Sequence, residues 1–268
     1  STCAFTAYLF LVNIAWYAPE VSEAWHYLTV VAILLAAIYS STDIRYLKIL
    51  SVASTWLFFA LILGMALVGG FTPDHLARAA TDIGSGYFAE LPRFILPLSD
   101  YHAFYLFWWF AWSIMIGQFV SRFVGGLRTY QLLLALLIIP SIPLAIWFAV
   151  LHHYFAADIT VAPQWKLAML AVGVIFVINS VDSLVRLYSD NLGLSVQRLG
   201  RGRFIACHFI LLGALVLAFR FTPFQIQWVG LAVIGLYAVT LGLLLRRCRP
   251  ALRGIDAVRA SHAKSSSA

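Results

Sequence analysis

The stretch FYLFWWFAWSIMIGQF, Phe104 to Phe119, contains no charged residue and carries three tryptophans, Trp108, Trp109 and Trp112. With its flanks it forms a segment of membrane-spanning length, 104–124, and its neighbours have the same character. Across all 268 residues, 62% are hydrophobic and 11% charged, with a mean hydropathy of +0.89. A water-soluble domain could not hide so much apolar surface, so the fold class is an all-α polytopic membrane protein. A spanning helix needs roughly 20 apolar residues. About eight such segments are present, near 2–17, 26–41, 49–70, 104–124, 130–152, 166–187, 204–221 and 224–245. The first is short for a full span.

The charges orient these helices. An even number of spans with both termini cytoplasmic puts Arg45, Lys48, Arg122, Arg128, Arg186, Arg198, Arg201, Arg203, Arg246, Arg247, Arg249, Arg253, Arg259 and Lys264 inside. That is 14 of the 18 Lys and Arg, leaving Arg78, Arg93, Lys166 and Arg220 outside with most of the carboxylates. The positive-inside rule is then met at every loop, as in a bacterial inner membrane protein. The net charge of +7 is accordingly a topology bias plus a basic tail suited to anionic lipid headgroups. No recognition motif accompanies it, so nucleic acid is not an expected partner. Cys3, Cys207 and Cys248 have neither metal nor disulfide spacing. The first apolar segment lacks the basic region and cleavage site of a signal peptide.

Four regions follow. Residues 1–70 hold three spans, and 71–103 form an extracytoplasmic loop. Residues 104–249 hold five spans, and 250–268 form a basic, polar cytoplasmic tail that cannot bury anything by itself and is expected to be mobile unless held. Within the loop, Thr72 is a good N-cap and Pro73 fits a first turn. Leu76, Ala79, Ala80 and Ile83 share a face, and Gly84 and Gly86 are expected to end this short amphipathic helix, with a second short element after it. Pro140 and Pro143 are expected to kink the span 130–152.

Two places could carry chemistry. Tyr105, Trp108, Trp109, Trp112 and Ile116 share one helix face. Trp112 lies about eight residues in, roughly 12 Å deep, below an interfacial aromatic belt. Such a face suits a quaternary ammonium group, held by cation–π attraction. Packing against helices or lipid is the plainer reading. The second place is FVINSVDSLVRLYSD, 176–190. Asn179, Ser180 and Ser183 around Asp182 suit a hard cation such as sodium. Alternatively Asp182 pairs with Arg186 one turn on, an intramembrane or interfacial ion pair. His152 and His153 are adjacent, so a shared metal is not expected, and His208 reads as a packing residue. No nucleophile–base constellation or phosphate loop is visible, so an enzyme is not expected.

WWFAWSIMIGQFVSRFVGGLRT (108–129) resembles the signature of the betaine/choline/carnitine transporter (BCCT) family, in which a Trp-Trp-x-x-Trp helix precedes a basic turn. SSTDIRYLKILS (40–51) and FVINSVDS (176–183) resemble that family's loop before its seventh helix and its tenth helix. The resemblance implies that Trp108, Trp109 and Trp112 form an aromatic box for a trimethylammonium group. It also implies that the Phe176 carbonyl, Asn179 and Ser180 form a sodium site. Sodium is the one cofactor suggested. There are two departures: the family's proline after the Trp-Ser pair is Ile114, removing a cause of helix breakage, and a threonine is Asn179. The eight segments resemble the family's fifth to twelfth helices, part of a five-plus-five inverted repeat. Its first four, which include a glycine-rich unwound helix supplying half of each site, have no counterpart here. The resulting expectation is a transport-dead accessory subunit of a larger membrane complex, with lipids and other membrane subunits as partners. The alternative is part of a cation-coupled transporter for quaternary ammonium solutes.

The topology is open to a direct check. Cysteines introduced at Ser85 and Ser265 should react with impermeant reagents from opposite sides of the membrane; labelling of both from one side would reverse the assignment.

Overall fold

The computed structural model describes the backbone of residues 2–17, 20–95, 100–123 and 126–265, and the side chains of 2–14, 20–93, 106–120 and 126–247. Among the described residues all regular structure is helical. In chain order the helices are α1 (Thr2–Tyr17), α2 (Glu23–Ser40), α3 (Ile44–Val68), α4 (Pro73–Ile95), α5 (Asp100–Phe123), α6 (Thr129–Ala156), α7 (Pro163–Leu192), α8 (Val196–Leu199), α9 (Arg201–Phe221) and α10 (Ile226–Ser265). Six of them, α2, α3, α6, α7, α9 and α10 up to Arg247, are long and apolar enough to cross a membrane. The described apolar parts of α1 and α5 are shorter, Thr2–Ile14 and Leu106–Val120.

Local chemistry sets the ends. Asp43 caps α3 by accepting the Arg45 N–H at 2.9 Å. Pro163 opens α7, where its missing N–H costs nothing. Gly193 closes α7 at φ +68°, a conformation open to glycine, with the Leu194 N–H donating back to the Ser189 carbonyl.

One expectation changes. The loop helix does not stop at Gly84 and Gly86; α4 runs 23 residues through both and through Pro92. Neither glycine is among those with positive φ. Without that reversal a glycine costs a helix only about 1 kcal/mol, which does not end it. The backbone of the tail continues α10 as helix as far as Ser265. Its side chains lie outside the described residues. α6 continues as one helix through Pro140 and Pro143.

α7 is the hub. It packs against α1, α2, α3 and α5, while α1 also meets α2 and α9. Cys3, Ala4, Phe5, Ala7 and Leu11 of α1 are buried with Val181 and Val185 of α7 and Phe204 and Leu212 of α9. A second core joins Leu61, Ile62 and Met65 of α3 to Val150 and Tyr154 of α6. α10 pairs with α5. Only 11% of the apolar window of α6 and 6% of that of α10 is buried within the chain, so a bilayer or another polypeptide must cover these helices.

The α5–α10 pair depends on one small residue. A Cβ on Gly230 would lie 2.4 Å from the Phe107 carbonyl oxygen and 2.7 Å from its Cα, and backbone cannot step aside cheaply. Nothing lies within 4 Å of the same position on Gly235. Gly230→Ala should therefore destabilise the protein by about 1–3 kcal/mol. Gly235→Ala should be neutral or stabilising by up to about 1 kcal/mol. Reversible unfolding in detergent, following both variants, checks the contrast.

Candidate functional site

The tryptophans lie on α5, which is helical without interruption from Asp100 to Phe123, through Ile114. Trp108 packs edge-on to Phe5 of α1, centroids 6.5 Å apart, and lies 5.7 Å from Trp109. Trp108 and Trp112 both rest against the main core. Trp109 is 60% exposed. The Trp112 Nε1 is buried with no hydrogen-bond partner among the described residues. The three rings thus meet different surroundings, two facing protein and one facing outward. The side chain of Tyr105 lies outside the described residues.

The residues implied for sodium lie in the middle of α7. Asn179 Oδ1 accepts a hydrogen bond from the Ser51 hydroxyl of α3 at 3.2 Å, and its backbone carbonyl accepts from Ser183 at 2.8 Å. Ser180 is half-buried. The Phe176 ring stands perpendicular to Phe58, centroids 5.7 Å apart. Because α7 is unbroken here, helix geometry commits the Phe176 carbonyl to the Ser180 N–H. Among the described residues no group of three or more His, Cys, Asp or Glu is arranged to hold a metal.

The best-defined polar constellation is the Asp182 pair. Asp182 is completely buried. Its Oδ1 accepts from Arg186 Nε at 2.8 Å and its Oδ2 accepts from the Ser40 hydroxyl at 2.6 Å. Arg186 then reaches across to α2. Its Nη2 donates to the Ser40 carbonyl at 2.6 Å and the Asp43 carbonyl at 2.5 Å. Each of these carbonyls also accepts one backbone N–H, Ser40 from Asp43 and Asp43 from Tyr46, so the guanidinium takes up their second acceptor positions. The pair is a charge-neutral clamp joining α7 to the α2–α3 turn. Arg186 also lines a cavity of about 370 Å³ together with Phe119, Ser183, Asp190, Ser195 and Phe204. Sequence reasoning found the Asp182–Arg186 pairing by its one-turn spacing but missed Ser40. The available signal was the polar run Ser40-Ser41-Thr42-Asp43 at the end of an apolar helix. His208 is buried between the Tyr188 hydroxyl at 2.8 Å and the Leu194 carbonyl at 3.4 Å, a packing role.

Comparison with known proteins fixes the family. Residues 9–161 match the model of the betaine/carnitine/choline family transporters. The chain belongs to that family. It is 29% identical over 105 residues to a glycine betaine/proline/choline transporter of Vibrio parahaemolyticus, covering 35% of this chain and 17% of that protein. It is 27% identical over 153 residues to an uncharacterized transporter of Haemophilus influenzae, covering 52% of this chain and 22% of that protein. An uncharacterized transporter of Mycobacterium tuberculosis is 26% identical over 110 residues, covering 38% and 17%. The chain thus spans between 17% and 22% of the length of these relatives. No solved structure matches it significantly.

The clamp makes a quantitative forecast. Arg186→Met strands a buried carboxylate and should cost about 3–5 kcal/mol. Adding Asp182→Leu should recover part of that loss. A double variant as unstable as the sum of the single variants, measured by reversible unfolding in detergent, would show that the two residues do not act as a unit.

Proposed function

We propose that this BCCT-family chain is a structural component of a larger membrane assembly and does not bind a quaternary ammonium solute by itself. The observation that carries this reading is the state of the tryptophan face. α5 is unbroken, Trp108 and Trp112 are half-buried against the core, and Trp109 is exposed. A trimethylammonium group needs several ring faces around one space. The clamp at Asp182 supports the same reading, because it satisfies both carboxylate oxygens from within the chain. The partners are membrane lipids and further membrane-spanning segments, consistent with the uncovered faces of α6 and α10. The distribution of basic residues supports cytoplasmic termini and an inner membrane location. An enzymatic role has no support from the family, which is one of transporters.

A second reading has one observation in its favour. Asn179, Ser180, Ser183 and Ser51 gather polar oxygens in the middle of α7 and α3, where a cation such as sodium would be held if a further segment completed the site. In that case the chain supplies part of a cation-coupled carrier for betaine, choline or carnitine. The curated Vibrio parahaemolyticus relative is named as a carrier of glycine betaine, proline and choline.

Calorimetric titration of the purified, folded chain with glycine betaine, choline and carnitine separates the two. The structural reading expects no saturable heat, and none in the Trp108→Leu, Trp109→Leu, Trp112→Leu variant. Saturable heat in the wild type that disappears in the variant would sink it. Each cation–π contact is worth about 0.5–2 kcal/mol, so single Leu variants would then weaken binding roughly 2- to 30-fold.

A further inference from the structure

At the end of the bundle marked by the α2–α3 turn, three helices present a cation and two phenols to the outside. Arg201, the first residue of α9, places its Cζ over the Tyr39 ring of α2, 4.4 Å from the centroid. Tyr39 in turn lies against Tyr46 of α3, with ring centroids 5.9 Å apart and planes tilted by 43°. All three residues are exposed. Cation–π attraction fixes where the guanidinium carbon sits and leaves its N–H groups to donate elsewhere. Among the described residues nothing takes them: Arg201 makes no hydrogen bond or ion pair, and neither phenol hydroxyl is bonded. Arg186 and Arg220, by contrast, each reach a carboxylate, at 2.8 Å and 3.6 Å.

We propose that Arg201, Tyr39 and Tyr46 form a site for the headgroup phosphate of an anionic phospholipid, in the leaflet that meets the α2–α3 turn. The guanidinium offers charge and paired N–H donors to phosphate oxygens, a match that arginine makes bidentately. The two phenols are further donors, and tyrosine is at home at headgroup level. The surroundings are positive. Arg203, Arg45 and Lys48 flank the three residues along the chain, are exposed, and make no ion pair among the described residues. The one carboxylate of the turn, Asp43, accepts the Arg45 N–H. Such a patch favours a headgroup with net negative charge over a zwitterionic one, whose own ammonium it repels.

The surface beneath the cation says why the occupant is a lipid and not a soluble anion. Leu28, Ala32, Leu35 and Tyr39 follow one another on α2 at helical spacing, and all four are exposed. They form an apolar stripe that runs from the Tyr39 ring for roughly 16 Å along the helix. One leaflet of a hydrocarbon core about 30 Å thick has nearly that depth. A free phosphate leaves the stripe uncovered, whereas an acyl chain hung from a phosphate at Arg201 lies along it. The inference rests on the chain being a membrane protein and holds whether or not it binds a solute.

The test is native mass spectrometry of the full chain released from detergent, titrated with palmitoyl-oleoyl phosphatidylglycerol or the matching phosphatidylcholine. The wild type should bind its first phosphatidylglycerol more tightly than its first phosphatidylcholine. Arg201→Gln should weaken phosphatidylglycerol binding roughly fivefold or more, the worth of one basic residue against an anionic lipid, and leave phosphatidylcholine unchanged. Tyr39→Leu keeps the cation and the apolar stripe but removes the ring. It should weaken phosphatidylglycerol binding about two- to fivefold, and it carries the test if Arg201→Gln does not fold. The control is Arg246→Gln on α10, whose packing partner is α5; it makes the same change in net charge and should leave the affinity unaltered. Three results would each overturn the proposal. One is a wild type that does not prefer phosphatidylglycerol, and another is an equal loss in Arg246→Gln, the mark of a diffuse positive field. The third is displacement of the lipid by an equal concentration of glycerophosphoglycerol, the same headgroup without chains.

Discussion

A carboxylate sealed inside an apolar bundle costs several kcal/mol unless every oxygen is answered. Asp182 is sealed, and it is answered by two residues with a second purpose. Arg186 neutralises it and spends its remaining reach on the end of α2; Ser40 donates its hydroxyl to the carboxylate and offers its carbonyl to the guanidinium. The buried charge of α7 is thus answered by groups of the α2–α3 turn, whose carbonyls still have acceptor positions to offer. The consequence is positional. One turn of slip in α7 would strand the acid, the base and the helix end together. α7 in turn packs against α1, α2, α3 and α5, so the register fixed at this point is transmitted to most of the bundle.

Much of the fold was legible because a membrane imposes simple rules. Apolar length marks the spans, and eight of the ten helices lie where length and hydropathy put them. What could not be read was the behaviour of residues that act only through context. Gly84 and Gly86 looked like stops, yet a helix interrupted by glycine continues unless something drives φ positive, and no such reversal occurs there. Gly230 gave no signal at all. Its importance is that it leaves no room for a Cβ against the Phe107 backbone of a helix more than a hundred residues away. Composition and periodicity carry no information of that kind.

The candidate site shows the same division. The spacing of Asp182 and Arg186 is a local property, so their pairing was accessible from the sequence. Ser40 joins them across 142 residues, so it was not. The tryptophans are a sharper case. Their spacing places them on one face, and family resemblance gives that face a purpose. A box, however, is a property of what stands opposite. Opposite Trp108 stands Phe5, and Trp109 is exposed. A motif can therefore persist on a helix whose surroundings use its members as packing, and only the surroundings distinguish the two uses.

Polar chemistry concentrates toward the ends of this bundle, as it must where the interior offers no water to satisfy a stray donor. The two ends are built from different materials. At the α2–α3 turn the cation is a guanidinium, which stays charged at any physiological pH. It answers a carboxylate and backbone carbonyls, so that junction is permanent. At the α3–α4 turn the side chains are imidazoles, with His153 Nε2 2.8 Å from the Gly69 carbonyl and His75 Nδ1 accepting the Thr72 N–H at 3.1 Å. The helix served by the first junction is the hub of the bundle, and the helix served by the second, α4, has Ala79 as its one buried residue among those described. An ion pair with several further bonds stands where a slip would disturb the core, and single hydrogen bonds suffice where a helix lies on the outside of it.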